Sequence, residues 1–435
     1  MSQTNVAAGS PQANKIVSAA LFAQAVKEPS PMNNLIGNAP TQSMAEAVLR
    51  QQSSEHMPIV QVLDLAKTAG DKISVDAIGV VKGRPIMGDR NAEGKGSKID
   101  FANMEVAIDM ATVPIDAGGK MSQKRTYHDL LSLGMAQLRG IMPRLQWQRC
   151  LVQLAGARGV ADGNDWALPL STDPEFADMV VNPVQAPTYN RHYVVSESSG
   201  AFTLVQGGAQ LASIDTTDKL VLPHIDQLAA LYDELPTQMQ PIRIPGDPVA
   251  MDDPIKGILF VDPLVYDGLL TDTTTGYNIR TFQTSAMERA SYGNLRSHPL
   301  FAGSPIFWNG ILVRKMKHPI RFNPNTAIPH VTSANRLTAT ETNVTIANFA
   351  STHQVARSIF MSAQALAQCL GTNTVSGVPY SLLENTYNFG RNKEIAGEMI
   401  GGEAKLRFKL PNESGALEPT DFGVLVIDSV VRKLV

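Results

Sequence analysis

Apolar and polar positions alternate with period two in two stretches of the chain. In DKISVDAIGVV, Ile73, Val75 and Ala77 alternate with Ser74, Asp76 and Ile78. In MEVAIDMATVPI, Met104, Val106, Ile108 and Met110 alternate with Glu105, Ala107, Asp109 and Ala111. Successive side chains of a strand point to opposite faces, so this spacing predicts half-buried strands. Between them Gly83, Gly88, Gly94 and Gly96 punctuate a charged run. The pattern predicts one long hairpin over residues 69–118, with Lys82, Arg84, Arg90, Lys95 and Lys98 at its tip. A two-stranded hairpin is marginal alone in water. Its apolar stripe of Val75, Val106 and Ile108 needs a cover from outside the hairpin, and a neighbouring chain is the expected one. These eight tip and stripe residues are the candidate assembly interface.

The period then changes. From Ser122 onward, Tyr127, Leu131, Met135, Leu138, Met142, Leu145 and Val152 recur at steps of three, four and seven. That spacing lines one face of a helix. Ser122 is the expected N-cap and the Gly156–Gly159 stretch the expected stop. Pro143 should kink the helix or split it in two. At 1.5 Å per residue the element reaches about 50 Å.

Residues 160–222 are punctuated by Pro169, Pro174, Pro183 and Pro187 and read as irregular. Helical spacing returns in TDKLVLPHIDQLAALYDEL (217–235), and short strands and helices alternate from 236 onward, as in KGILFVDP and NGILVRKM. The chain closes on strand-like DFGVLVIDSVVRKLV. Residues 1–68 differ from all of this. They are rich in Ala, Gln, Ser, Asn and Pro and hold one aromatic, Phe22. Such a segment buries little by itself and reads as an arm, or as a disordered tail. Little of residues 1–55 is expected to pack on the chain's own core, which makes them a strap between subunits.

Composition narrows the classes. A chain of 435 residues, 43 % apolar, implies two or three folded units with a real core. Its net charge of −3, from 37 basic and 40 acidic residues, lacks the basic excess of a dedicated nucleic-acid binder. Weak contact of one face with nucleic acid stays open. Two cysteines, Cys150 and Cys369, cannot make a disulfide framework and read as buried free thiols in a reducing compartment. The N-terminus does not read as a secretion signal, and no run approaches about 18 apolar residues. A soluble protein made in a cytoplasm is expected.

Catalytic patterns fail one by one. No H-E-x-x-H, C-x-x-C or G-x-S-x-G occurs. The stretch Asp89–Lys95 ends in Gly-Lys, but Asp89 stands where a phosphate loop needs its first glycine and Gly96 where it needs Ser or Thr. The eight histidines are scattered. His128 beside Asp129 reads as a surface or interface residue. Asp252, Asp253 and Asp262 lack cation-ligand spacing and read as solvated turns. Asp215 to Asp218 reads as a capping segment. No catalytic, cofactor-binding or metal-binding residue is nominated, and the chain is expected not to be an enzyme.

The order of arm, long hairpin, long helix and large α/β part resembles the Hong Kong 97-type capsid fold. Particular runs resemble the major capsid proteins of tailed bacteriophages: KRTYHDLLSLGMAQLRG to LVQLAGARG (Lys124–Gly159), LFVDPLVYDGLLTDTTTG (Leu259–Gly276), HPLFAGSPIFWNGILV with Pro299, Phe301, Gly303 and Asn309–Gly310, NGILVRKMKHPIRF (Asn309–Phe322), RSIFMSAQALAQCLG (Arg357–Gly371), and NFGRNKEIAGEMIGGEAKLRF before the closing strand. They span residues 70–430 in matching order. Residues 323–350 look like a surface insertion.

The resemblance implies an α+β fold with an arm (1–68), an extended hairpin (69–118), a peripheral domain around a spine helix (119–222), an axial domain (223–405) and returning C-terminal strands (406–435). It implies a homo-oligomer of pentameric and hexameric capsomers enclosing double-stranded DNA in weak contact. A portal protein, a decoration protein and, since the arm holds no scaffold-like helix, a separate scaffolding protein are its implied partners, with no membrane and no cofactor. Some relatives crosslink a hairpin lysine to a neighbour's asparagine. Lys82, Lys95 and Lys98 are available for that, but no asparagine or acidic helper stands out, and salt bridges at the tip are the simpler reading. Two alternatives share parts of the pattern. A bacterial nanocompartment shell protein has the same fold, but usually a short N-terminal helix in place of the arm. An α/β hydrolytic enzyme is the other.

Overall fold

The period-two runs do form strands, but they serve two different sheets. A computed structural model of the chain describes residues 32–36, 53, 56–62, 71–78, 85–88, 90–91, 93–94, 101–126, 129–160, 166–198, 200–244, 247–248, 252–271, 287–288, 290–291, 298–301, 306–371, 380–412 and 414–433. After strand β1 (Ile59–Val62), strands β2 (Lys72–Ile78) and β3 (Phe101–Ala107) pair antiparallel, Lys72 opposite Ala107 through Ile78 opposite Phe101. The second alternating run breaks at Ile108, whose N–H donates to the Asp71 carbonyl at 2.9 Å. Strand β4 (Asp109–Gly119) then leaves the hairpin for another sheet. Alternation reports which face a residue occupies, and it is silent on which strand lies alongside.

The long helix is also two elements. Helix α1 (Lys120–Arg125) ends at Thr126, which is extended, and α2 (Leu130–Ala155) restarts behind Asp129. Asp129 is the cap in place of Ser122: its Oδ1 accepts from Leu131 N at 3.0 Å and Ser132 N at 3.3 Å. Pro143 lies inside α2 without ending it, so the 26 residues run about 39 Å. The glycine stop holds. Gly156 has φ +66° and its N–H returns to the Val152 carbonyl. A Cβ there would stand 2.4 Å from the Gln185 carbonyl oxygen.

Strands β5 (His192–Ser198), β6 (Ala201–Gln206), helix α3 (Leu222–Glu234), β7 (Gly257–Val261), helix α4 (Pro263–Thr271), β8 (Ile306–Trp308), β9 (Ile311–Lys315) and β10 (Ile320–Phe322) follow. Next come β11 (Ala327–Val331), β12 (Glu341–Thr345), β13 (His353–Met361), β14 (Leu366–Leu370), β15 (Tyr380–Tyr387), β16 (Asn392–Lys405), β17 (Arg407–Pro411), β18 (Leu417–Asp421) and β19 (Val424–Arg432). One sheet has the order β6-β5-β19-β13-β7-β9-β8, with β10 also on β13. The other runs β1-β14-β16-β15, with β4 on the far side of β16.

The larger sheet is covered on both faces, which is why β7 reads as a continuous apolar run and β19 is apolar on both sides of Asp428–Ser429. Leu259, Val261, Leu425 and Ile427 face α3 and α4 through Ile225, Leu228, Tyr232 and Tyr266. Ile258, Phe260, Ile359 and Val426 face the C-terminal half of α2 through Trp147, Leu151 and Leu154. The N-terminal half of α2 lies on the smaller sheet, with Leu138 and Met142 against Gly397 and with Gly134 between Ile395 and Ile115. The helix therefore ties the two sheets together. Its second half is buried all round, polar Gln146, Gln148, Arg149 and Gln153 included.

Two expectations change. Residues 1–55 were expected to give the core little, yet the helical turn Met32–Leu35 sits in the main apolar cluster with Met57 and Ile59, and Leu35 is fully buried. Two apolar side chains in a polar segment carry no periodicity that would mark them. The segment 323–350 is a hairpin of β11 and β12 whose Ile328, Val344 and Ile346 belong to that same cluster, so only its tip is surface. Cys150 and Cys369 are buried and not joined in a disulfide.

Candidate assembly surfaces

The candidate residues of the hairpin divide into base and tip. At the base, Val106 is fully buried and Val75 and Ile108 are partly so. The cover is the chain's own: Ile73, Ala367, Ala404, Leu406, Phe408 and Leu410 are buried in the same cluster. The expectation that a neighbouring chain must cover this stripe is thus corrected at Val106. The C-terminal β17–β18 hairpin, far away in sequence, folds back to do it. At the tip, Arg90 is exposed and Met87 is 72 % exposed. Lys82, Arg84, Lys95 and Lys98 lie outside the described residues.

A second surface escaped the sequence reading. On the side of the smaller sheet away from α2, register puts Pro114 opposite Ala396 and Ala396 opposite Leu383, an apolar row across β4, β16 and β15. The rows beside it, Asp116–Glu394–Asn385 and Thr112–Glu398–Ser381, carry carboxylates. Leu382 and Leu383, adjacent in sequence, point to opposite faces and are 49 % and 43 % exposed. Those adjacent leucines in YSLLENTY are the available sequence signal, a strand apolar on both faces.

Buried ionic groups hold the C-terminal strands rather than a reaction centre. Asp428 accepts from His192 and Arg357, all three without solvent exposure. Burial pushes the Asp428 carboxyl up, but the Arg357 guanidinium and His192 outweigh it and hold it well below the usual carboxylate range. Burial keeps His192 below its ordinary value, against the Asp428 hydrogen bond. Asp421 takes Arg407 Nε at 2.7 Å and Lys405 Nζ at 3.0 Å. Burial brings Lys405 down to about 8. Glu403, buried near Arg149, Gln146 and Gln368, has its carboxyl raised by that burial.

A cavity of about 350 Å³ is lined by Arg191, Arg336, Glu234 and Glu418 among others and has no lining histidine or cysteine. Among the described residues no group of His, Cys, Asp and Glu is arranged around a metal position, and no helix is long and apolar enough to cross a membrane.

Comparison with known proteins agrees with this geometry. Residues 5–433 match the family model described as phage capsid protein. No curated protein matches the sequence. The chain is similar to the solved capsid of Ralstonia phage GP4, at 23 % identity and a TM-score of 0.69, over 99 % of both chains. It is similar to the capsid of cyanophage Pam1, at 15 % identity and 0.60, over all of both chains. The capsid of Helicobacter pylori bacteriophage KHP30 follows at 11 % identity and 0.57, over 99 % of both chains. At these identities the likeness to solved structures is one of fold.

Proposed function

The chain belongs to the phage capsid protein family and has its Hong Kong 97-like fold, and from that premise we propose how a major capsid protein of this sequence builds its shell. Copies join as pentameric and hexameric capsomers in the host cytoplasm, guided by a separate scaffolding protein. They close around double-stranded DNA with a portal protein at one vertex. Decoration proteins would bind the outer face. The role is structural, without turnover chemistry.

The observation that carries this reading is the division of the hairpin. Its base is locked into the chain's own core at Val106, while its tip shows Met87 and Arg90 to solvent. A hairpin anchored at one end and exposed at the other is built to reach another body. Its tip carries five basic residues, Lys82, Arg84, Arg90, Lys95 and Lys98, against two acidic ones, Asp89 and Glu93. The carboxylate rows of Asp116, Glu394 and Glu398 supply a complement on a neighbouring copy, and opposite potentials speed encounter. The division into arm, hairpin, peripheral domain, axial domain and C-terminal strands is part of the proposal, with the smaller sheet drawing β1 from the arm range, β4 from the hairpin range and β14–β16 from the axial range.

The test is electron microscopy of the full chain expressed with its phage partners, beside Met87→Asp with Arg90→Glu. Closed shells from the parent and soluble, folded subunits from the double variant are expected. Equal shells from both would remove the tip from assembly.

A further inference from the structure

Among the described residues strand β15 has an open edge, and it differs from the edge strands β1, β4, β6, β8 and β10 of the two larger sheets. The outer edge of β1 is engaged by Ser53, whose N–H donates to the Gln61 carbonyl at 2.9 Å and whose Oγ accepts from Gln61 N at 2.8 Å, and by a bridge between Ile36 and Ile59. On β6 the Gln227 side chain takes the Leu204 N–H at 3.1 Å and donates to the Phe202 carbonyl. Strand β4 carries Pro114, and β8 and β10 are three residues each. Proline, short length and side-chain cover are the usual means of keeping an edge from pairing with another chain.

Strand β15 has none of them among the described residues. It pairs on one side only, with β16. Its eight residues, YSLLENTY, contain no proline, glycine or lysine. Its single charge, Glu384, is matched within the chain by Lys393 at 2.8 Å. An open strand with a leucine on each face and its one charge neutralised is a ready template for a further strand.

We propose that β15 pairs antiparallel with β15 of a second copy of this chain, centred on Leu383. A two-fold axis perpendicular to the sheet makes the contact isologous and places residues on the same face opposite one another. In this register Leu383 meets Leu383 of the second copy, Leu382 meets Glu384, and Ser381 meets Asn385. No two carboxylates stand directly opposite. The apolar row Pro114–Ala396–Leu383 continues through the axis into the same row reversed, so the two five-stranded smaller sheets join into one continuous sheet. The edge contact leaves the carboxylate face open to the hairpin tip. The inference rests on the shell reading only in taking a second copy as the partner.

Directly opposite Cα atoms in such a pair lie about 4.5–5.5 Å apart, inside the range of about 4.4–6.8 Å that a disulfide spans. The native cysteines are buried, so they leave the background clear. Full-length Leu383→Cys protein, assembled with its phage partners, is oxidised with copper–phenanthroline and run on a denaturing gel without reductant. A majority of chains should appear as disulfide dimers. Thr386→Cys, displaced along the strand, should stay monomeric. The double variant Ser381→Cys with Asn385→Cys gives the same reading outside the apolar row, should Leu383→Cys not assemble. Shells that form normally with no dimer at 383 or at 381/385, or with as much dimer at 386, overturn the pairing and leave the capsid function standing. Loss of shells from the parent chain would instead strike the capsid reading.

Discussion

Arg357 donates through Nε and Nη2 to the two carboxylate oxygens of Asp428, each at 2.8 Å, in a site with no solvent exposure. Its third nitrogen, Nη1, donates to the Ala155 carbonyl at 2.9 Å, at the end of α2. One guanidinium thus pins the spine helix to the centre of the larger sheet. Two-point recognition of this kind needs the planar fork of arginine.

Removing one partner leaves a buried charge unmatched, at a cost of about 3–5 kcal/mol. Arg357→Met should therefore lower the unfolding free energy of the unassembled subunit by that amount. Arg357→Lys should recover only part of it. Urea unfolding followed by circular dichroism measures both.

Acid should unfold the subunit early. The Asp428 and Asp421 carboxyls are held below their unfolded values by their basic partners, against burial, so they stabilise the fold above about pH 4 and release that stability as pH falls. His224, lowered to about 4 by burial, and His192, lowered likewise, resist protonation in the fold and add a loss beginning below about pH 6.5. Glu403 acts with the opposite sign. Burial raises its carboxyl, so its contribution is fully present below its unfolded value and is lost as pH rises. Glu403→Gln should raise the unfolding midpoint at pH 7, and the gain should vanish near pH 4. A midpoint equal to the parent's across that range would remove the carboxylate from the balance.

The turn Met32–Leu35 should matter to the isolated subunit. Leu35→Ala empties a fully buried position, a change that typically costs about 2–5 kcal/mol. A change near zero in the unfolding midpoint would mean that the arm's anchor is dispensable.

Val106 and Arg90 should separate folding from assembly. Val106→Asp places a charge in a sealed apolar cluster and should destabilise the subunit itself. Arg90→Glu should leave unfolding unchanged and slow shell growth, followed by light scattering, at low salt. Because exposed charges are screened over about 8 Å at physiological ionic strength, the difference in rate should narrow as salt rises.

Much of the local structure was legible in the sequence. The strands at 72–78 and 101–107, the α2 face through Leu138, Met142 and Leu145, and the stop at Gly156 all depend on a residue and its near neighbours along the chain. Periodicity, capping chemistry and the need for a left-handed residue are local facts. The ordered runs from 70 to 430 likewise carry the capsid resemblance without reference to any tertiary contact.

What the tertiary structure alone decided is partnership. Asp428 meets Arg357 across 71 residues and His192 across 236, and no spacing announces either. The run MEVAIDMATVPI alternates without a break in sequence, yet β3 pairs with β2 and β4 with β16. Val106 was rightly apolar, but its cover came from β17 and β14 of the same chain. An alternating pattern says that one face must leave water and does not say against what. The choice among covers is made by the free energy of the whole packed chain, to which each local pattern contributes only one face.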